Sequence, residues 1–237
     1  MRQKIRKGLL AFMALLFPLL FLFMSPVFII FSASNGVLNG SAMIFGFLLV
    51  SSVLGSRLFC GWLCPGGAIQ DHVAEANDKP WNSKWKNAAK YIIWILWFAS
   101  IVVLWILHQP LKTDFFYLTD VDISTLISYF MVVTIIYLFA LLTGKRGMCH
   151  SFCWMAPFMV IGEKIADLLH IPRFRLKADS NACISCGQCV KKCPMSLNVQ
   201  EMVKSGNMDS VECISCLQCV DICPKKVIAF GIKGKVE

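Results

Sequence analysis

Two stretches near the C-terminus, ACISCGQCVKKCP at 182–194 and CISCLQCVDICPKK at 213–226, decide how this chain is read. Each has the spacing Cys-x2-Cys-x2-Cys-x3-Cys-Pro, a ligand pattern for a [4Fe–4S] cluster. Three thiolates two residues apart can wrap three corners of an iron–sulfur cube. The fourth, followed by proline, swings away to the other cube. The spacing therefore predicts crossed ligation. Cluster I takes Cys183, Cys186, Cys189 and Cys223, and cluster II takes Cys213, Cys216, Cys219 and Cys193. Structural zinc favours paired cysteines a dozen or more residues apart, which this spacing does not match. Disulfides need an oxidising compartment, and the charge pattern below puts this tail in a reducing one.

Outward from the tail, the chain turns apolar. Of its 237 residues 57% are hydrophobic, and the mean hydropathy is +0.65. That excludes an ordinary soluble domain and points to a membrane protein. Between Gly8 and Ser56 there is no acidic, basic or histidine residue. A crossing needs about 20 residues at 1.5 Å rise, so this run predicts two spans, Leu9–Phe31 and Val37–Leu54. Tyr91–Leu107 and Ile123–Leu142 predict two more. A cleaved signal peptide fits the N-terminus less well than a retained helix, because the apolar run is long and no small-x-small cleavage site follows it.

The short loops orient these spans. Arg2, Lys4, Arg6 and Lys7 precede the first. Arg57, Lys79, Lys84, Lys86 and Lys90 lie between the second and third, and Lys145 and Arg146 follow the fourth. The opposite side carries Lys112 beside Asp114, Asp120 and Asp122. The expectation is a multi-pass protein of the inner, cytoplasmic membrane with both termini in the cytoplasm. The net charge of +9 is then a topology signal, not a nucleic-acid footprint.

The membrane half also repeats. Offset by 89 residues, Gly55–Pro65 aligns with Gly144–Trp154, and both read G-x-R-x-x-C-x3-C. Each follows an inbound span and precedes an amphipathic stretch, AIQDHVAEA or APFMVIGEKIADLLH. Two copies of equal sidedness predict a parallel repeat about the membrane normal. The pairs Cys60/Cys64 and Cys149/Cys153 complete the set of twelve cysteines. Together they could supply four thiolates to a third iron–sulfur centre. Metal-free thiol chemistry and plain packing remain open as readings of the same residues. Arg57 and Arg146, each three residues before its pair, could offset the charge of an anionic centre.

Other residues carry less. His72, His108, His150 and His170 lie outside mid-span positions, which disfavours haem; His150, inside the second pair, is the candidate for a proton or ligand role. Trp94, Trp97 and Trp105 with Tyr91 read as interfacial belt and lipid-facing residues, with quinone stacking as an alternative. Ile171–Lys177, IPRFRLK, reads as a basic tether along the inner leaflet or in solvent. Gly66-Gly67 lacks the context of a phosphate loop.

FCGWLCPGG at Phe59–Gly67, the second Cys-x3-Cys and the double cluster motif of the tail resemble the NapH-type polyferredoxin membrane proteins. Their membrane module is similar to that of the nitrous-oxide-reductase regulator NosR. The resemblance runs from about Arg6 to Phe230. It implies a quinol dehydrogenase membrane component that transfers electrons. One departure stands: the family has proline after its second pair, and here Cys153 is followed by Trp154.

The expected architecture is a membrane α-helical domain at 1–170, with four transmembrane helices in two parallel repeats, plus a cytoplasmic α+β two-cluster ferredoxin domain at 171–237. The expected function is electron transfer between a cytoplasmic or membrane redox partner and quinone or another membrane redox subunit. Lys191, Lys192, Lys225 and Lys226 flank the motifs and could steer an acidic ferredoxin or flavodoxin. The competing reading is a membrane-bound iron or redox sensor, or an assembly component, that binds clusters without turnover.

Overall fold

The computed structural model describes residues 1–81 and 84–233. The side chains of Lys84 and Lys86, counted above as loop cations, lie outside the described residues, as does the 234–237 end of the expected ferredoxin domain.

The N-terminal apolar run is broken. It forms α1 (Arg2–Leu15), α2 (Phe17–Met24) and α3 (Pro26–Ser34). The expected span Leu9–Phe31 is thus not one helix. Pro18 sits in the first turn of α2 and Pro26 starts α3. Proline lacks the backbone N–H and clashes with the preceding turn, so each starts a new helix. Between α1 and α2 the axis bends by 74°. After a turn at Gly36, strand β1 (Val37–Leu38) leads into α4 (Gly40–Gly55). Asn39 caps α4, accepting from the Ala42 N–H at 3.1 Å.

Next come α5 (Leu58–Trp62), α6 (Pro65–Val73), α7 (Lys84–Leu107), β2 (Lys112–Thr113) and α8 (Ile123–Thr143). Among the described residues, Asn87–Leu107 of α7 and Ile123–Thr143 of α8 are long and apolar enough to cross a membrane. The bent α1–α2 pair makes up to three if it counts as one span. Helix α4 is apolar but has only 16 residues. Ile92, Leu96, Val103 and Ile106 of α7, and Ile127, Phe130, Ile135 and Leu138 of α8, point outward. Such bands suit a lipid solvent. β1 and β2 pair in parallel, Val37 with Lys112, so the two turns remote from the cysteines meet.

The tryptophans of α7 correct an expectation. Trp97 is buried, and Trp94 packs edge-on to Phe158. Trp97 also lies against Phe45 and Trp154, and its Nε1 donates to Pro26 O at 3.2 Å. Positions 94, 97, 101 and 105 fall on one face of a 3.6-residue helix, and that face meets α3 and α10, not lipid.

The second half continues with α9 (Gly147–Ser151) and α10 (Met155–Leu168). α5 and α9 start and stop 89 residues apart, and both end on an N–H four residues from its acceptor, Leu63 to Phe59 O and Phe152 to Met148 O. α10 lies hard against α4: a Cβ on Gly162 would come within 2.0 Å of Ser52 Oγ and 2.4 Å of Leu49 O. Only glycine lets two backbones approach this closely.

The expected tether is a strand. β3 (Arg173–Ala178) leads to the short helices α11 (Gln188–Lys191), α12 (Val199–Lys204) and α13 (Gln218–Ile222), and pairs antiparallel with β4 (Ile228–Lys233). Strand alternation puts Arg173 and Arg175 on one buried face. There they meet acids instead of lipid or solvent: Arg173 pairs with Glu163 at 2.7 Å, and Arg175 with Asp209 at 2.6 Å. Both also reach Asp167. Phe174 stacks on Phe230 across the ribbon.

Candidate iron–sulfur centre and its buried charges

Two hollows open in the C-terminal unit. Cys183, Cys186, Cys189 and Cys223 line the first, of about 370 Å³. Cys193, Cys213, Cys216 and Cys219 line the second, of about 410 Å³. The short helices α11 and α13 bring this about. Each begins after a left-handed residue, Gly187 or Leu217, which turns the preceding loop so that its cysteines converge. The remaining lining is largely apolar, including Val203, Val227 and Ile228 in the first hollow and Met195, Met208 and Ile214 in the second. Burial pushes the thiols of Cys193 up to about 11 and of Cys213 up to about 12. Thiols in such surroundings stay protonated unless a metal replaces the proton.

Among the described residues, no three histidine, cysteine or acidic side chains converge tightly enough for a single metal ion. Four thiols round an apolar hollow, with the Cys-x2-Cys-x2-Cys-x3-Cys-Pro spacing, fit an iron–sulfur core.

The two hollows differ in access. At the first, Ile184 is 56% exposed and Cys186 is exposed. At the second, Cys193, Cys216 and Cys219 are buried, and the membrane half packs on the loop that carries Cys216. Trp62 Nε1 donates to Ser215 O at 3.0 Å, and Gln3 Nε2 to Cys216 O at 3.0 Å. Gly61 sits so near that a Cβ there would come within 2.2 Å of Ile214 O. Arg2 pairs with Asp221 at 2.5 Å.

The four remaining cysteines lie beneath this contact. Cys60 and Cys149 are buried on α5 and α9, and Cys64 and Cys153 sit just beyond those helices. Each lies within electrostatic reach of others in the set, Cys64 of all three. Burial pushes all four thiols up. Cys60 Sγ is 3.3 Å from Met159 Sδ, and Gln70 Nε2 donates to Cys149 Sγ at 3.2 Å.

Buried charge surrounds them. Arg146 grips both oxygens of Asp71 at 2.6 and 2.9 Å and donates to Cys60 O at 2.7 Å. Arg6 reaches Asp71 at 3.0 Å and Gly61 O at 3.1 Å. Burial works against the Asp71 carboxylate, but Arg146 and then Arg6 hold it below the usual range. On the other side, Glu212 receives Arg57 at 3.1 Å and Lys90 at 2.5 Å. Arg57 also donates to Val211 O at 2.8 Å. His150 stacks on Trp81, with Nδ1 3.7 Å from Glu212. Burial brings its imidazole down to about 4, with Glu212 opposing, so it is neutral near pH 7. A buried donor without a partner costs about 1–3 kcal/mol; Arg57 Nε and Nη2 find no nitrogen or oxygen acceptor, and the Cys60 thiol is the group beside the guanidinium.

A 4Fe-4S dicluster domain model matches residues 175–224, and a 4Fe-4S binding domain model matches residues 40–83. The chain is 29% identical over 165 residues to the ferredoxin-type protein NapH of Haemophilus influenzae, covering 66% of this chain and 53% of that one. The chain is similar to the NapH-type ferredoxin-like proteins. Over 168 residues it is 23% identical to the putative electron transport protein YccM of Escherichia coli (66% of this chain, 46% of the relative). The methylamine utilization ferredoxin-type protein MauN of Methylobacillus flagellatus is 26% identical over 166 residues (66% and 54%). The chain spans about half the length of these relatives. No solved structure matches it. The two 4Fe-4S models and the long apolar helices together mark an iron–sulfur protein of the membrane.

Several site residues carry no motif. Asp71 lies inside the amphipathic stretch after the first pair, with nothing in its spacing to mark it. Glu212 precedes Cys213 directly, and its basic partners are 155 and 122 positions away in the chain. Lys90, Arg57 and Arg146, counted as topology signals, are fully buried in ion pairs. His72, His108 and His170 are exposed and apart from the centre.

Proposed function

We propose that this chain carries electrons one at a time across the inner face of a membrane, from a protein partner at its ferredoxin tail to an acceptor in or beside the bilayer. The observation that carries the reading is the sorting of the eight tail cysteines into two four-thiol hollows, one open and one buried against the membrane half. Iron–sulfur clusters bound there supply reversible one-electron chemistry. Cys183, Cys186, Cys189 and Cys223 would hold the outer one, and Cys213, Cys216, Cys219 and Cys193 the inner one. Cys60, Cys64, Cys149 and Cys153 would hold a third iron–sulfur centre just below. Exposed Lys225 and Lys226 beside the open hollow favour an acidic partner such as a ferredoxin or flavodoxin. The inner acceptor is quinone or another membrane redox subunit.

Four crossings in two parallel repeats, with both termini cytoplasmic, complete the proposal. The contacts of Arg2 and Gln3 with the tail and the pairing of β1 with β2 on the remote side both favour it. The alternative, a sensor or assembly component, predicts slow reduction and reoxidation.

Anaerobic iron counting tests the arrangement. Two cubanes hold about 8 iron atoms per chain, and a third centre raises this to about 10 or 12. Cys60→Ser and Cys149→Ser should lose the same increment and keep the tail signals. A wild type at about 8 with both tail clusters intact rules out the shared centre. Rapid-mixing reduction then separates carrier from sensor: reduction slower than partner turnover sinks the carrier.

A further inference from the structure

We infer that Arg57 is the positioning residue of the Cys60/Cys64/Cys149/Cys153 centre, donating from Nε and Nη2 to its sulfurs while Nη1 ties it to the loop before Cys213. This rests on the shared-centre reading. The two halves repeat, yet their arginines are used differently. Arg146 has its guanidinium filled by Asp71 and Cys60 O. The second half has no counterpart of Asp71: the position 89 residues on is Val160. The carboxylate that Arg57 finds is Glu212, from the ferredoxin unit.

Only Nη1 of Arg57 is used in that contact, with Val211 O and Glu212 as acceptors. Nε and Nη2 are buried with no nitrogen or oxygen acceptor, the Cys60 thiol lies close enough to the guanidinium to accept from it, and Arg57 is 0% exposed. Arg57 lies within electrostatic reach of Cys60, Cys153 and Cys149. Guanidinium is a fork of five donors that does not lose its charge. Two such donors against three sulfurs would be poorly satisfied in a thiol cluster, because thiol sulfur is a weak acceptor. Against thiolates and inorganic sulfide they complete charge-assisted hydrogen bonds. Glu212 directly precedes Cys213, so the same side chain links the inner tail hollow to the centre below it.

A fixed positive charge stabilises the more anionic, reduced form of a centre. Anaerobic redox titration by electron paramagnetic resonance, with iron counting, should be run on the detergent-purified full chain. Arg57→Gln should move the midpoint of the membrane-edge centre to more negative values, and Arg57→Lys should restore part of the shift. Glu212→Gln removes the competing negative charge and should move it the opposite way. An unchanged midpoint in Arg57→Gln with its iron increment retained overturns the inference and leaves the shared centre standing. Should both Arg57 variants lose the increment, Glu212→Gln decides: an upward shift supports the role, and no shift overturns it. A wild type without the increment fails the shared centre itself.

Discussion

Cys193 stands four residues after Cys189 yet lines the hollow of Cys213, Cys216 and Cys219. Pro194 follows it, and the chain there turns inward, with Pro194 and Met195 both buried. Cys223 is used in the mirror sense, on the first hollow. Cys193→Ser should therefore damage the cluster held by the later three cysteines and spare the one nearer in sequence. Spectra of single mutants prepared without oxygen would reveal this, and loss of the other signal alone would refute crossed ligation. At this scale the grouping of the tail cysteines was legible, because a cluster motif imposes a spacing on the chain. The partners of Arg57 and Asp71 were not, since an ion pair needs only proximity in space.

At the scale of the element, the short helix α5 is what the ferredoxin unit rests on. The contact is backbone against backbone at Gly61 and Ile214, so even one methyl has no flexible side chain to push aside. Gly61→Ala should cost about 1–3 kcal/mol, as overpacking does, and lower the thermal midpoint of the tail. Gly46→Ala is the control: a Cβ there meets nothing within 4 Å, and alanine favours a helix over glycine. Equal effects in the two variants would show that α5 does not support the docking. Helix α10 teaches a related lesson. Its sequence reads as an amphipathic stretch, and Gly162 over Leu49 and Ser52 makes α4 the partner of its apolar face. Periodicity locates an apolar face and says nothing of what covers it.

Across the whole molecule, basic residues gather at the cysteine end and Asp114, Asp120 and Asp122 at the other. Reporter fusions after Gly36 and Asp122 should read outside, and a fusion at the chain's end inside. A tail reported outside would remove the reducing compartment that the thiolates require and reopen disulfide pairing. The ion pair of Arg2 with Asp221 favours an N-terminus and tail on one side, and that of Lys7 with Glu75 puts the start of the middle loop on the same side. Exposed pairs of this kind add little stability; their value here is as markers of sidedness.

What the amino-acid sequence determined by itself follows from local rules. Cysteine spacing declared the iron–sulfur motif and the sorting of the eight tail cysteines into two hollows, apolar length declared the membrane, and the offset of 89 residues declared matching cysteine turns, realised in α5 and α9. Tertiary structure decided what depends on contacts between distant segments. It turned the expected tether into β3 against β4 and faced Trp97 inward. It also separated Arg57 from Arg146, two residues alike in motif. Asp71 satisfies one, and the other borrows Glu212 from the docked ferredoxin. A buried charge takes whichever counter-charge the fold brings within reach, and no one-dimensional pattern records that choice.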